Sequence, residues 1–250
     1  MLLAIESSTN WLSVAVLEGE EVLALQEYDD GHQHASALLP TIDVLLRELG
    51  LGLDDLDAMA IATGPGSFTS LRIGLATAKG LAFERSLAGL GVSTLEAMAL
   101  SLLEDGSRVG GREVVALLDA RRGEWYAGGW RLPGGPGQLP IPTLPEGLYA
   151  PGQLAKDLGE DAVLMLPEAG GWRRAFEAAS VWPAEVVEGP AARPRADWVG
   201  RLAQRRLARG EGVPVSTLEA RYLRRAEAEA KRLGGPVVEG EVARLEDVRS

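Results

Sequence analysis

The chain has no cysteine, two histidines and a single asparagine, Asn10, in 250 residues. Without cysteine there is no disulfide framework, no thiol nucleophile and no thiolate metal site, and a cytoplasmic address is the expectation. His32 and His34 stand one residue apart with no third ligand close by, so a surface turn before a helix accounts for them better than a metal site does. No apolar run approaches the roughly 18–20 residues of a membrane span, so no membrane association is expected. The start, Met1-Leu2-Leu3-Ala4-Ile5-Glu6, lacks a basic n-region and reads as a first strand, not as a signal peptide. Lysine is scarce as well, at 3 against 22 arginines. Little asparagine and no cysteine suit a heat-stable protein, although GC-rich coding gives the same arginine excess.

What is present describes a globular chain with a core. Apolar residues make up 46% and the mean hydropathy is +0.02, which fits one large domain or two of ordinary size. The net charge of −11 is uneven: residues 1–104 hold 15 acids and 4 bases, while residues 105–250 hold 21 of each. An acidic first half is a poor surface for a phosphate backbone. The arginines of 193–232 are the better candidates for nucleic acid, and a solvated helix face explains them more simply.

Strands are expected at 2–6, 12–17, 20–26, 56–62 and 88–92. A leucine stripe predicts a helix over 34–49, closed by Gly50 and Gly52. A second helix is expected over about 70–84, and Ser93-Thr94-Leu95-Glu96 is a capping box for a third. The loop-like run 105–111 marks a boundary between a first domain, 1–104, and a second, 105–233, with a tail at 234–250. The second domain opens as the first does, with an apolar strand ending in an acid, a turn and a return strand (114–119 and 124–130), which makes a structural repeat plausible. Prolines at 133, 136, 140, 142, 145 and 151 predict an irregular loop or lid over 131–152. Ser216-Thr217-Leu218-Glu219 predicts a last helix running to Leu233.

The chemistry is concentrated in a few segments. Gly64-Pro65-Gly66-Ser67-Phe68-Thr69-Ser70 lies between a strand and a helix, a geometry that favours anions; a ligand-free tight turn is the plainer reading. Gly-x-Ser-x-Gly is not formed around Ser67, and the stretch from Gly74 to Lys79 fails as a phosphate loop, with Ala78 and Gly80 in the wrong places. Glu6, Ser7, Ser8 and Thr9 are candidate nucleotide-binding residues, Glu6 for metal-bound water and the hydroxyls for phosphate. Against this, that turn has no glycine to let backbone approach a phosphate. Gly74 and Gly80 inside a helix, each costing on the order of 1 kcal/mol, suggest close approach of another backbone.

Three segments, Ala4-Ile5-Glu6-Ser7-Ser8-Thr9, Gly64 through Gly74, and Leu118-Asp119-Ala120-Arg121-Arg122-Gly123-Glu124-Trp125-Tyr126, closely resemble the TsaB (YeaZ) family. Leu38-Leu39-Pro40, Gly91 through Glu96 and, more loosely, Arg221-Tyr222-Leu223-Arg224 agree with it. The resemblance implies an α/β fold of two RNase H-like lobes of the actin/Hsp70/sugar-kinase (ASKHA) type. It implies a noncatalytic subunit, with no cofactor of its own and ATP or ADP at most at a complex interface. Its partners would be the paralogue TsaD and the ATPase TsaE, in making threonylcarbamoyladenosine beside the anticodon of tRNAs that read codons beginning with A. Contact with tRNA would come through the complex, and a homodimer is expected where TsaD is absent. The pairing surface would be the two helices of the first lobe, with Leu38, Leu39, Ile42, Leu45, Leu71, Gly74, Leu75 and Ala78 as interface positions. TsaD carries two metal-binding histidines four apart, where this chain has Thr94 and Met98. Glu6 stands where the family has Asp, and Ser70 where it has Gly. An ATP-dependent sugar or acyl kinase on the same fold, with Glu6 and Asp119 at the cleft, is the alternative; a peptidase has neither a triad nor a metal cluster to support it.

Overall fold

Leu2–Glu6 (β1) is buried along its whole length, as a strand must be when both faces of its sheet are covered. The computed structural model describes residues 1–29, 34–104, 109, 111–132, 137–168, 172–179 and 183–224. β1 pairs antiparallel with Leu12–Glu18 (β2), placing Ile5 opposite Val14, and β2 pairs antiparallel with Glu21–Tyr28 (β3). On its other side β1 runs parallel to Ala58–Gly64 (β4), which runs parallel to Ala88–Ser93 (β5). A second sheet repeats this plan. Val114–Asp119 (β6) pairs antiparallel with Trp125–Arg131 (β7), and β7 with Ile141–Tyr149 (β8). β6 also runs parallel to Val163–Leu166 (β9), and β9 to Glu185–Glu188 (β10). Both sheets therefore have the order third, second, first, fourth, fifth, the repeat that the sequence only suggested.

Helices cover the outer face of each sheet. His34–Glu48 (α1) and Phe68–Leu81 (α2) pack Leu38, Ile42, Leu45, Leu46, Leu75 and Ala78 onto Leu3, Ile5, Val14 and Val16. Pro40 lies inside α1, where a proline removes one backbone hydrogen bond. The neighbouring Thr41 hydroxyl donates to the Ala37 carbonyl at 2.7 Å. In the second lobe Pro151–Asp157 (α4) and Arg173–Ala179 (α5) seat Leu154 and Phe176 on Leu164 and Leu166.

Between the sheets lie two helices, each packed across to the other half. Thr94–Leu103 (α3) sets Leu95, Met98 and Leu102 against Val114 and Ala116 of the second sheet. Ala196–Leu207 (α6) sets Val199, Leu202 and Ala203 against Leu2, Ala4 and Leu17 of the first. At Gly200 a side chain would overlap Leu17, so glycine lets α6 lie directly on β2. The division at 104/105 thus separates the sheets, but the grouping 105–233 does not follow the packing. Residues 196–218 belong with the first sheet, which they complete with an edge strand, Val213–Pro214 (β11), beside β5.

Two further expectations are corrected. Part of the expected loop 131–152 is strand β8, which tolerates Pro142 and Pro145 because it is an edge strand. The helix expected from Ser216 is instead a short 3₁₀ turn, Val215–Thr217, followed by non-helical chain to Arg224. The remainder of that helix to Leu233, the tail 234–250 and His32 lie outside the described residues.

Candidate functional site

The Gly64–Ser70 turn is used for closure. Gly64 has φ +114°, a conformation that L side chains rarely adopt, and a Cβ there would stand 2.9 Å from the Arg221 carbonyl oxygen. A Cβ on Gly66 would overlap the Ser8 carbonyl, and the Ser67 N–H donates to that same carbonyl at 2.6 Å. Backbone that would face an anion is thus pressed against the β1–β2 turn. Ser67 caps α2, accepting from the Ser70 N–H at 3.4 Å and from the Ser70 hydroxyl at 3.0 Å.

The cleft between the lobes holds about 160 Å³, below the roughly 300–1,000 Å³ of small-molecule pockets. Ser8, Thr9, Trp11, Ser67, Asp119, Arg121 and Tyr126 line it. Glu6 and Ser7 do not; both are fully buried beneath it. Glu6 Oε1 accepts the Ser8 N–H at 2.6 Å, and Oε2 has no hydrogen-bond partner. Burial pushes the Glu6 carboxyl up to about 7, against the lowering effect of Ser8. Ser7 donates to the Ser70 carbonyl at 3.1 Å, and Gly74 lies so close to the Ser7 hydroxyl that a Cβ would overlap it. The close approach expected at Gly74 is therefore made by the chain's own β1. Asp119 accepts the Arg121 N–H at 2.7 Å and so pins a turn in which Arg121, Arg122 and Gly123 all have positive φ. Of the four candidate nucleotide-binding residues, Ser8 and Thr9 line the cavity, whereas Glu6 and Ser7 are buried and do not. Among the described residues no three His, Cys, Asp or Glu converge on a metal position. Thr94 and Met98 are buried in α3. His34, expected in a surface turn, is buried at the start of α1 with its Nε2 3.3 Å from the Trp11 carbonyl.

The outer face of α1 and α2 is the other candidate, and here the expected register is corrected. Leu38, Ile42, Leu45, Leu71, Leu75 and Ala78 are buried in the core, as is Gly74; of the eight expected interface positions only Leu39 is exposed, at 50%. An amphipathic helix turns its continuous apolar stripe to its own sheet first. What remains outside is a sparser set: Leu39 and Val44 on α1, Ala76 and Gly80 on α2, and Phe83, 71% exposed, just beyond it. Gly80 has open space where a side chain would go.

Polar contacts that the sequence did not announce join the lobes. Arg206 holds Glu96 through both oxygens, at 2.8 and 2.7 Å. Burial still raises the Glu96 carboxyl above its ordinary range, with Arg206 opposing. Ser93 donates to Glu146 at 2.9 Å, and Arg221 reaches the other oxygen of Glu146 at 3.4 Å. Arg224 donates to the Ala120 carbonyl at 2.5 Å and pairs with Glu124. Tyr222 lies against α2, its ring 4.8 Å from that of Phe68. The Arg221–Arg224 run was visible in the sequence, but nothing in it showed which elements it would tie together.

Known proteins resemble this chain along its length. The sequence profile of the family described as TsaD, tRNA N6-adenosine threonylcarbamoyltransferase, matches residues 29–133. The tRNA threonylcarbamoyladenosine biosynthesis protein TsaB of Haemophilus influenzae is 42% identical over 125 residues, 50% of this chain and 51% of that protein. The match thus spans about half the length of that curated relative. The Bacillus subtilis protein of the same name is 28% identical over 232 residues, covering 92% of this chain and 96% of the relative. The solved structure of YeaZ from Pseudomonas aeruginosa superposes with a TM-score of 0.76 at 31% identity, covering 89% of this chain and 99% of that one. With that identity over nearly the whole of a solved YeaZ chain, the protein belongs to the TsaB (YeaZ) family and shares the α/β fold of that structure.

Proposed function

We propose that this chain is a noncatalytic subunit that binds TsaD through the outer face of α1 and α2. In the cytoplasm it would activate TsaD, together with the ATPase TsaE, for threonylcarbamoyl transfer to the adenosine next to the anticodon of tRNAs that read codons beginning with A. The observation that carries this reading is the set of exposed apolar residues on two adjacent helices, Leu39 and Val44 with Ala76 and Gly80, and Phe83 just beyond α2. Exposed apolar clusters mark interaction surfaces. The profile match supports the choice of partner, since residues 29–133 include α1, α2 and α3. Two chains that share these helices can pair about a pseudo-twofold axis, and the same logic gives a homodimer when TsaD is missing. If ATP or ADP takes part, its place is the complex interface; tRNA is met through the complex, and no cofactor is assigned to this chain. The kinase alternative has less support: the cleft is small, and Glu6, its candidate for metal-bound water, is fully buried and does not line it.

The test is formation of threonylcarbamoyladenosine on unmodified tRNA from TsaD, TsaE and preformed threonylcarbamoyl-adenylate. Product is expected to depend on this chain. Leu39→Glu is expected to abolish both product and the heterodimer seen by size-exclusion chromatography, because an unpaired charge in an apolar contact costs several kcal/mol. Equal product without the chain overturns the reading.

A further inference from the structure

Of the four cations in residues 1–104, Arg47 pairs with Asp43 and Arg85 with Asp54, while Lys79, like Arg72, has no ion pair among the described residues. Arg72, on the exposed side of α2, has no carboxylate partner among the described residues, although its lobe is rich in acids. Two rings hold it instead. Its guanidinium carbon lies 3.8 Å from the centroid of Phe68 and 5.9 Å from that of Tyr222, and its Nε donates to the Tyr222 hydroxyl at 3.1 Å. Tyr222 is in turn fixed by its neighbours, since Arg221 N–H donates to the Thr63 carbonyl at 2.8 Å and Arg224 is tied to the second lobe. The fork is thus oriented before any partner arrives, and its two terminal nitrogens are left without an acceptor among the described residues.

We infer that Arg72 is the polar anchor of the α1–α2 partner face and receives one carboxylate side chain of the partner protein. This rests on the reading of that face given above. A guanidinium fork matches a carboxylate through two parallel hydrogen bonds. Stacking on Phe68 and the bond to Tyr222 reduce the rotamer freedom lost on binding. Arginine beside aromatic rings is also the composition of interface hot spots. A phosphate backbone is disfavoured because the surrounding lobe carries 15 acids and 4 bases, which repel an extended polyanion but not a single carboxylate held by the oriented fork.

The experiment is titration calorimetry of TsaD into wild type, Arg72→Gln, Arg72→Lys and Tyr222→Phe, with thermal melts to establish folding and Leu39→Glu as the control for the face. Arg72→Gln is expected to weaken binding at least tenfold, more at low salt than at high salt. Arg72→Lys, which keeps the charge and loses the fork, is expected to be intermediate. Tyr222→Phe is expected to lose two- to threefold. Restoration of binding by Arg72→Glu when one acidic residue of the TsaD helices is changed to arginine supports the anchor directly. Binding of Arg72→Gln within twofold of wild type overturns it. So does unchanged TsaD affinity accompanied by loss of tRNA binding, which would assign the arginine to phosphate. If Leu39→Glu binds normally while Arg72→Gln does not, the apolar face fails and the anchor stands.

Discussion

The two sheets share one strand order, yet the helices outside them differ in scale. α1 and α2 run 15 and 14 residues, whereas α4 and α5, between the corresponding strands of the second lobe, run 7 each. The short pair suffices to cover its sheet through Leu154 and Phe176. The long pair does more than cover: beyond its buried stripe it presents Leu39, Val44, Ala76 and the open side of Gly80. The same topology thus serves as cover in one lobe, while in the other it also leaves exposed the face that we propose for docking. The strand ends differ as well. β1 and β6 both finish in an acid, but Glu6 is fully buried while Asp119 reaches the surface and pins its own turn.

The contrast between covering and presenting faces breaks first at adjacent residues of α2. Leu75→Glu places an unpaired charge in the core and is expected to cost on the order of 5 kcal/mol, enough to abolish cooperative unfolding by urea. Ala76→Glu, one residue on and exposed, is expected to change stability by less than about 0.5 kcal/mol. Equal effects would show that the two faces are wrongly divided.

Glu6 sharpens the difference between the strand ends. Its carboxyl titrates near 4.5 when unfolded and near 7 when folded. Between these values the unfolded chain has lost its proton and the native chain keeps it, so native stability falls as pH rises through that window. The fall is about 3 kcal/mol in all, and it is absent below 4.5 and complete above 7. Glu6→Gln is expected to remove this slope in urea denaturation at pH 5 and pH 8. An unchanged slope would mean that other groups set it.

A smaller effect than that of Glu6 is expected at Gly80. Gly80→Ala is expected to stabilise the lone chain by up to about 1 kcal/mol, since the site is helical and open. The same change is expected to weaken TsaD binding, as read by calorimetry, because a methyl group would keep the partner's backbone away. Unchanged affinity would remove Gly80 from the contact.

The sequence made some levels of this structure easy to read. Apolar runs such as Leu2–Ile5 and Met59–Ala62 could only be buried strands, and Ser67 and Ser93 announced the helices that they cap. The helix register failed for a physical reason. Leu38, Ile42 and Leu45 recur with helical spacing because they face β1 and β2, so the stripe that periodicity detects is the one already used. The exposed apolar residues are few and set no period of their own along the sequence. α6 was unreadable in another way, since amphipathicity shows which face of a helix is buried but not against which sheet. The cleft needed three dimensions too: that Gly66 lies on Ser8 and that Glu6 sits below the surface follows from packing across 60 residues of chain, about which spacing is silent.

The exchange of α3 and α6 between the sheets fixes an order of events during synthesis. α6 begins about ninety residues after α3 has ended, so the first sheet emerges from the ribosome with one face covered only by Ala97 and Leu100 of α3 and with its β11 edge missing. At about 5–20 residues per second that face waits roughly 5–20 s for its cover. α3 meets its counterpart earlier, when β6 and β7 follow it out. The lobe made first is therefore finished last, and a chain cut off after residue 104 would carry two unburied apolar surfaces, one on the sheet and one on α3.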